Sequence, residues 1–177
     1  MSDLLVFNIG QLVTNDPARS SMLGVVENAG VAIVDGLVEW VGPDVDVPDR
    51  YRGLSRLDAG GAAALPGFVD SHTHLVFAGD RSEEFDRRLR GESYEQILEG
   101  GGGILSTVAA TRAASEDQLF DEAAARVWRM LANGTTTVEI KSGYGLDTET
   151  EMRMLRVANR LGETLPVDVV PTFLGAH

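Results

Sequence analysis

Two patterns of apolar and polar positions divide the chain. Up to Ala64 the apolar residues come in short β-rich runs broken by polar turns, and this part reads as all-β. Leu4–Ile9 is a strand candidate, closed by the polar stretch Thr14–Pro17. Gly30–Val34 and Leu37–Gly42 flank Asp35-Gly36, the dipeptide that favours a two-residue hairpin turn. Pro43–Arg56 is rich in proline, aspartate and arginine and reads as a loop. So few strands cannot bury a core without a covering layer.

From Leu65 the pattern becomes strand–helix alternation. Leu65–Asp70 is a continuous apolar run, which predicts a buried strand; Thr135–Ile140 and Val167–Phe173 predict two more. Ser115-Glu116-Asp117-Gln118 reads as a capping box, opening a helix with Leu119, Phe120, Ala123, Val127, Met130 and Leu131 on one face. Asn133-Gly134 ends it. Thr148-Glu149-Thr150-Glu151 reads as a second box, leading through Met152, Leu155, Ala158 and Leu161 to Gly162. Such alternation predicts a parallel sheet, open or closed into a barrel. The stretch from His74 to Arg112 is too long for an ordinary connection. It carries helical pieces at Glu83–Leu89 and Tyr94–Leu98, and the glycine run Gly100–Gly103. Long loops after the C-terminal ends of parallel strands are where such folds build their sites. The expected division is a β domain over 1–63 and an α/β part over 64–177.

Composition narrows the class. The chain is 44% hydrophobic and 24% charged, as ordinary globular proteins are. No apolar run approaches the roughly eighteen residues of a membrane span. Met1–Phe7 lacks the basic flank and long apolar core of a secretory signal, so a cytoplasmic home is the default expectation. Absence of cysteine excludes disulfides and zinc–thiolate sites. A net charge of −12 argues against nucleic acid or an anionic membrane as partner.

The candidate chemistry lies at strand ends. Of three histidines, His72 and His74 close the apolar run; alternation along a strand puts both on one face. Two imidazoles so placed can take two corners of a metal's coordination sphere, with Asp70 or a backbone carbonyl to fix a tautomer. Arg81 follows, either gripping a substrate carboxylate or phosphate or paired with Asp80 or Glu84. The second strand ends at Glu139-Ile140-Lys141-Ser142-Gly143-Tyr144-Gly145, where paired glycines would present the Tyr144 ring. Lys141, the only lysine, reads better as an ion pair with Glu139 or Asp147. The third strand leads to His177. His72, His74, Tyr144 and His177 are thus expected at one end of a parallel sheet. Gly100–Gly103 lacks the lysine and hydroxyl partner of a phosphate loop.

These residues resemble an amidohydrolase, and more narrowly the imidazolonepropionase family of histidine degradation. The broad signal is the small β-domain feeding Leu65-Pro66-Gly67-Phe68-Val69-Asp70-Ser71-His72-Thr73-His74. The narrower blocks are Val76–Arg81, Gly101–Val108, Glu139–Leu146 and Pro171–His177. The resemblance implies a small β-sandwich-like domain followed by the first three βα units of a (β/α)8 barrel, incomplete in this chain. It implies one divalent metal, zinc or iron, on His72, His74 and a histidine and an aspartate from later strands. The implied reaction is hydrolysis of 4-imidazolone-5-propanoate to N-formimidoyl-L-glutamate. Arg81 would bind the propionate, Tyr144 would contact substrate, and His177 would act catalytically by polarising or orienting the ring carbonyl. Tyr94 would belong to a substrate loop, and the full-length protein would be a homodimer. Another cyclic-amide hydrolase, or an inactive fragment, are the other readings.

Overall fold

Asp35 and Gly36 turn the chain back on itself with φ of 50° and 79°, the left-handed pair a type I′ hairpin requires. The computed structural model describes residues 3–19, 22–175 and 177. The turn joins β2 (Val25–Val34) to β3 (Leu37–Pro43), and β2 lies antiparallel to β1 (Leu4–Val13). On the far edge of β1, the short strands β4 (Ser55–Asp58) and β5 (Ala63–Ala64) add in parallel. The β1–β2 register slips between Val6 and Ile9, where Asn8 takes a φ of 56°. That bulge separates two apolar clusters. One joins Leu5, Ala32, Val47 and Tyr51; the other joins Ile9, Leu12, Val26 and Ala29. Pro43–Arg56, expected as plain loop, contains two 3-10 turns and the start of β4, and it delivers Tyr51 into the first cluster.

The chain divides into two compact units between Pro66 and Gly67. In the second unit β6 (Phe68–Thr73), β7 (Thr135–Lys141) and β8 (Asp168–Thr172) form a parallel sheet in sequence order. β6 starts later than its apolar run, Pro66 having no N–H for a ladder, and it continues through Thr73. The connection after β6 holds α1 (Ser82–Leu89), α2 (Tyr94–Glu99) and α3 (Ile104–Ala113), then α4 (Glu116–Ala132). Helix α5 (Thr148–Thr164) links β7 to β8. The order is the α/β one expected from the sequence.

Caps account for the ends of the two long helices. Ser115 Oγ accepts from the Gln118 N–H and Gln118 Oε1 from the Ser115 N–H, the expected box. For α5 the expected box is corrected: Asp147 is the cap, its Oδ1 accepting from the Thr150 N–H at 2.8 Å, and Glu151 turns inward. Helix α3 was not anticipated, because its buried positions Thr107, Val108 and Thr111 are mostly polar.

Helices α4 and α5 cover one face of the sheet. Leu119, Ala123 and Val127 from α4, and Met154, Val157 and Leu161 from α5, pack with Val138 and Ile140 of β7. Contrary to the buried strand expected from its apolar run, β6 leaves Phe68 53% and Val69 68% exposed. Val170 and Phe173 are exposed likewise. No helix among the described residues is long and apolar enough to cross a membrane.

Candidate metal and substrate site

Parallel strands bring their C-terminal ends to one edge, and four of the candidate side chains arrive there from three strands. His72 lies on β6 and His74 just past its end, their rings edge to face with centroids 5.8 Å apart. Thr73, between them, donates its hydroxyl to the Glu139 carbonyl of β7 at 2.6 Å. His177 stacks on His74 with centroids 4.5 Å apart and planes 19° from parallel. Tyr144 completes the cluster, 5.3 Å from the His74 centroid and 5.5 Å from that of His177.

Burial, more than any other influence, pushes the His74 pKa down from its usual value. The charges of His177, His72 and Lys141 add to this, while the Ser142 backbone opposes it. The neutral ring that results is the form that ligates metals. His74 Nδ1 is itself buried without a hydrogen-bond partner. His177 Nδ1 lies 3.0 Å from the Gly143 carbonyl; a carbonyl only accepts, so Nδ1 carries the proton and Nε2 is left for a ligand. Asp70 does not orient an imidazole as considered from the sequence; its Oδ1 takes the His72 backbone N–H at 3.3 Å. The donor set of two imidazoles, one neutral with an unpartnered Nδ1, fits a divalent ion at two positions. Among the described residues no group of three potential ligands forms. The fit is half a coordination sphere.

Arg81 immediately precedes α1, with both Nε and Nη2 on Glu84 Oε2 at 2.8 Å. This is the ion pair that the sequence left open. Glu84 Oε1 accepts from the Gly103 N–H at 2.8 Å and the Ser106 hydroxyl at 3.0 Å. Burial raises the Glu84 pKa, but Arg81, the Gly103 N–H and Ser106 together outweigh it and hold the carboxyl below its usual value. The glycine run therefore closes around a carboxylate, in line with its poor match to a phosphate loop. Gly103 sits at a φ of 73°, and a Cβ there would lie 3.7 Å from the Tyr94 hydroxyl and 3.8 Å from Arg81 Nη2. The Tyr94 hydroxyl and Arg81 Nη2 thus both lie near Gly103, and Tyr94 stays largely exposed.

Arg81 and Tyr144 also open on a common cavity of about 410 Å³, lined in addition by Phe77, Asp80, Thr107 and Arg126. Arg126 had no signal in the sequence. Its Nη1 donates to the Leu75 and Phe77 carbonyls at 3.1 and 2.9 Å, and its guanidinium lies 3.7 Å from the Phe77 ring centroid. Phe77 in turn meets Tyr144 edge-on at 5.9 Å. Lys141 forms the expected pair with Glu139 at 2.7 Å, and the same oxygen accepts from the Thr172 hydroxyl.

No family model matches the chain. Among curated proteins, the imidazolonepropionase of Haloarcula marismortui is 53% identical over 178 residues, covering 99% of this chain and 42% of the relative. Those of Cupriavidus necator (53% over 162 residues; 92% of this chain, 38% of the relative) and Paracoccus denitrificans (50% over 167 residues; 94% and 42%) are similar. The chain thus spans about two-fifths of these relatives' length. Among solved structures, a triazine hydrolase from Arthrobacter aurescens matches 98% of this chain and 36% of its own at TM-score 0.66 and 21% identity. N-isopropylammelide isopropylaminohydrolase from Burkholderia multivorans matches 97% and 37% at TM-score 0.59 and 23% identity. At such identities the likeness shows the fold alone, an incomplete (β/α)8 barrel preceded by a β unit. The chain is imidazolonepropionase-like in sequence over nearly its whole length, with the architecture of an incomplete (β/α)8 barrel.

Proposed function

We propose that the full-length protein carrying this chain hydrolyses the ring amide C–N bond of 4-imidazolone-5-propanoate to give N-formimidoyl-L-glutamate. One observation carries this reading: Tyr144 touches the His74–His177 stack and shares a cavity with Arg81. A carboxylate binder and a pair of metal-type imidazoles are thereby linked through one side chain. The relatives' name supplies the substrate.

His72 and His74 would hold one divalent ion, zinc or iron, with further ligands from outside the described residues. An atrazine chlorohydrolase of the same fold was solved with zinc. When bound, the ion supplies Lewis acidity and brings the pKa of water toward about 7. Arg81 takes the propionate through Nη1, which makes no hydrogen bond among the described residues. Tyr144 hydrogen-bonds the substrate beside the histidines. His177 presents Nε2: the neutral ring accepts from a substrate N–H and orients it, whereas the imidazolium donates to the ring carbonyl and polarises it. Tyr94 borders the carboxylate end. The protein works on a small molecule, as a cytoplasmic homodimer.

The Arg81–Glu84 pair favours a second reading, a cyclic amide without a carboxylate, because the pair already occupies one edge of the guanidinium fork. The experiment is to assay metal-loaded full-length protein for N-formimidoyl-L-glutamate. Its formation is expected, and hydrolysis only of carboxylate-free cyclic amides would move the reading to the second.

A further inference from the structure

Glu151 is the one buried carboxylate among the described residues, only 1% exposed, and the proposed reaction makes no use of it. It sits in the first turn of α5, where the helix dipole favours a negative charge. Its Oε1 accepts from the backbone N–H groups of Gly145 at 2.7 Å and Leu146 at 2.9 Å, while Oε2 is buried without a partner. Gly145 has no room for a side chain: a Cβ would lie 2.9 Å from Glu151 Oε1 and 2.8 Å from its backbone nitrogen. Leu146 is held at a φ of 52°, a conformation that branched and bulky residues avoid. On the other side of the same turn Arg112 Nε donates to the Gly145 carbonyl at 2.7 Å and pairs with Asp147. Both sides of the segment that carries Tyr144 are therefore gripped, and the buried grip is Glu151.

We infer that Glu151 is a positioning residue for Tyr144, setting its ring and hydroxyl against the His74–His177 stack by holding the next two peptide N–H groups. The inference rests on the proposed function, in which Tyr144 contacts substrate. A buried carboxylate is costly unless hydrogen-bonded, so replacing it with a group that cannot accept leaves two donors unpaired and frees the turn. Glutamine retains an acceptor oxygen in the same place and should restore most of the effect.

The experiment is a double-mutant cycle in the metal-loaded full-length protein, read as KM and kcat on the imidazolone substrate. Glu151→Ala should raise KM about tenfold or more, and Glu151→Gln should stay within about threefold of the parent. In a Tyr144→Phe background the Glu151→Ala effect should shrink to less than about threefold, because the hydroxyl it positions is gone. A structural role alone would give the same factor with or without the hydroxyl; that result, or an unchanged KM, overturns the inference and leaves the proposed function standing. Where Glu151→Ala does not fold, Glu151→Asp, which keeps the charge but withdraws it by one methylene, takes its place with the same expectations. No turnover by the parent protein would overturn the proposed function and the inference together.

Discussion

Arg81 grips Glu84 at two points, with Nε and Nη2 each 2.8 Å from the same carboxylate oxygen. Glu84 spends its other oxygen on the Gly103 N–H and Ser106 hydroxyl, so one carboxylate ties Arg81 to the start of α3. The pair is partly exposed, the arginine side chain at 45%, so its worth lies in orientation more than in stability.

Removing the guanidinium should separate substrate binding from chemistry. Arg81→Ala is expected to raise KM for the propionate-bearing substrate by about tenfold or more with a smaller change in kcat. Steady-state kinetics on the full-length protein check this, and an unchanged KM would favour the substrate without a carboxylate.

The Glu84 carboxyl is held below its unfolded pKa, so its contribution to stability is present above the ordinary carboxylate range and is lost as pH falls through the folded value. Acidification should therefore release the Gly103 N–H and speed its hydrogen exchange relative to a pH-corrected reference. In Glu84→Gln that extra acid-side acceleration should be absent. The same acceleration in both proteins would show that Glu84 does not govern the loop.

Arg126 secures the segment after the histidines by two carbonyl bonds and a stack on Phe77. Arg126→Met keeps much of the apolar stem but leaves the Leu75 and Phe77 carbonyls unpaired by this donor. A loss of about 2–3 kcal/mol in unfolding free energy is expected, measured by denaturant titration. A loss below about 0.5 kcal/mol would mean that water replaces the guanidinium at little cost.

Ser115 caps α4 far from the aromatic cluster in sequence and contributes through the cap alone. Ser115→Ala should cost about 1 kcal/mol in stability and leave KM unchanged, checked by thermal unfolding alongside kinetics.

Features set by local chemistry were legible in the sequence. Asp35-Gly36 announces its turn because only a few residues tolerate left-handed φ at both positions, and Ser115 with Gln118 announces a helix start. The convergence of His72, His74, Tyr144 and His177 was also legible, since each lies at or just past the end of a strand and parallel strands share an exit edge. Glu151 was misread because the local signal, a threonine followed three residues later by a glutamate, matches a capping box. Asp147 takes the cap instead, and two peptide N–H groups upstream draw the glutamate inward. The same holds for β6: its apolar run announces burial, but which elements cover it depends on partners remote in the chain. Arg126 was invisible because its acceptors are backbone carbonyls, which carry no residue signature.

The proposed function requires His72 and His74 to hold an ion without which the ring amide is not hydrolysed. Its most direct measurement is the rate of N-formimidoyl-L-glutamate formation by full-length protein before chelation, after it, and after zinc or iron is returned. Activity should be lost on chelation and recover with about one ion per chain. Turnover that persists unchanged in metal-free protein would contradict it.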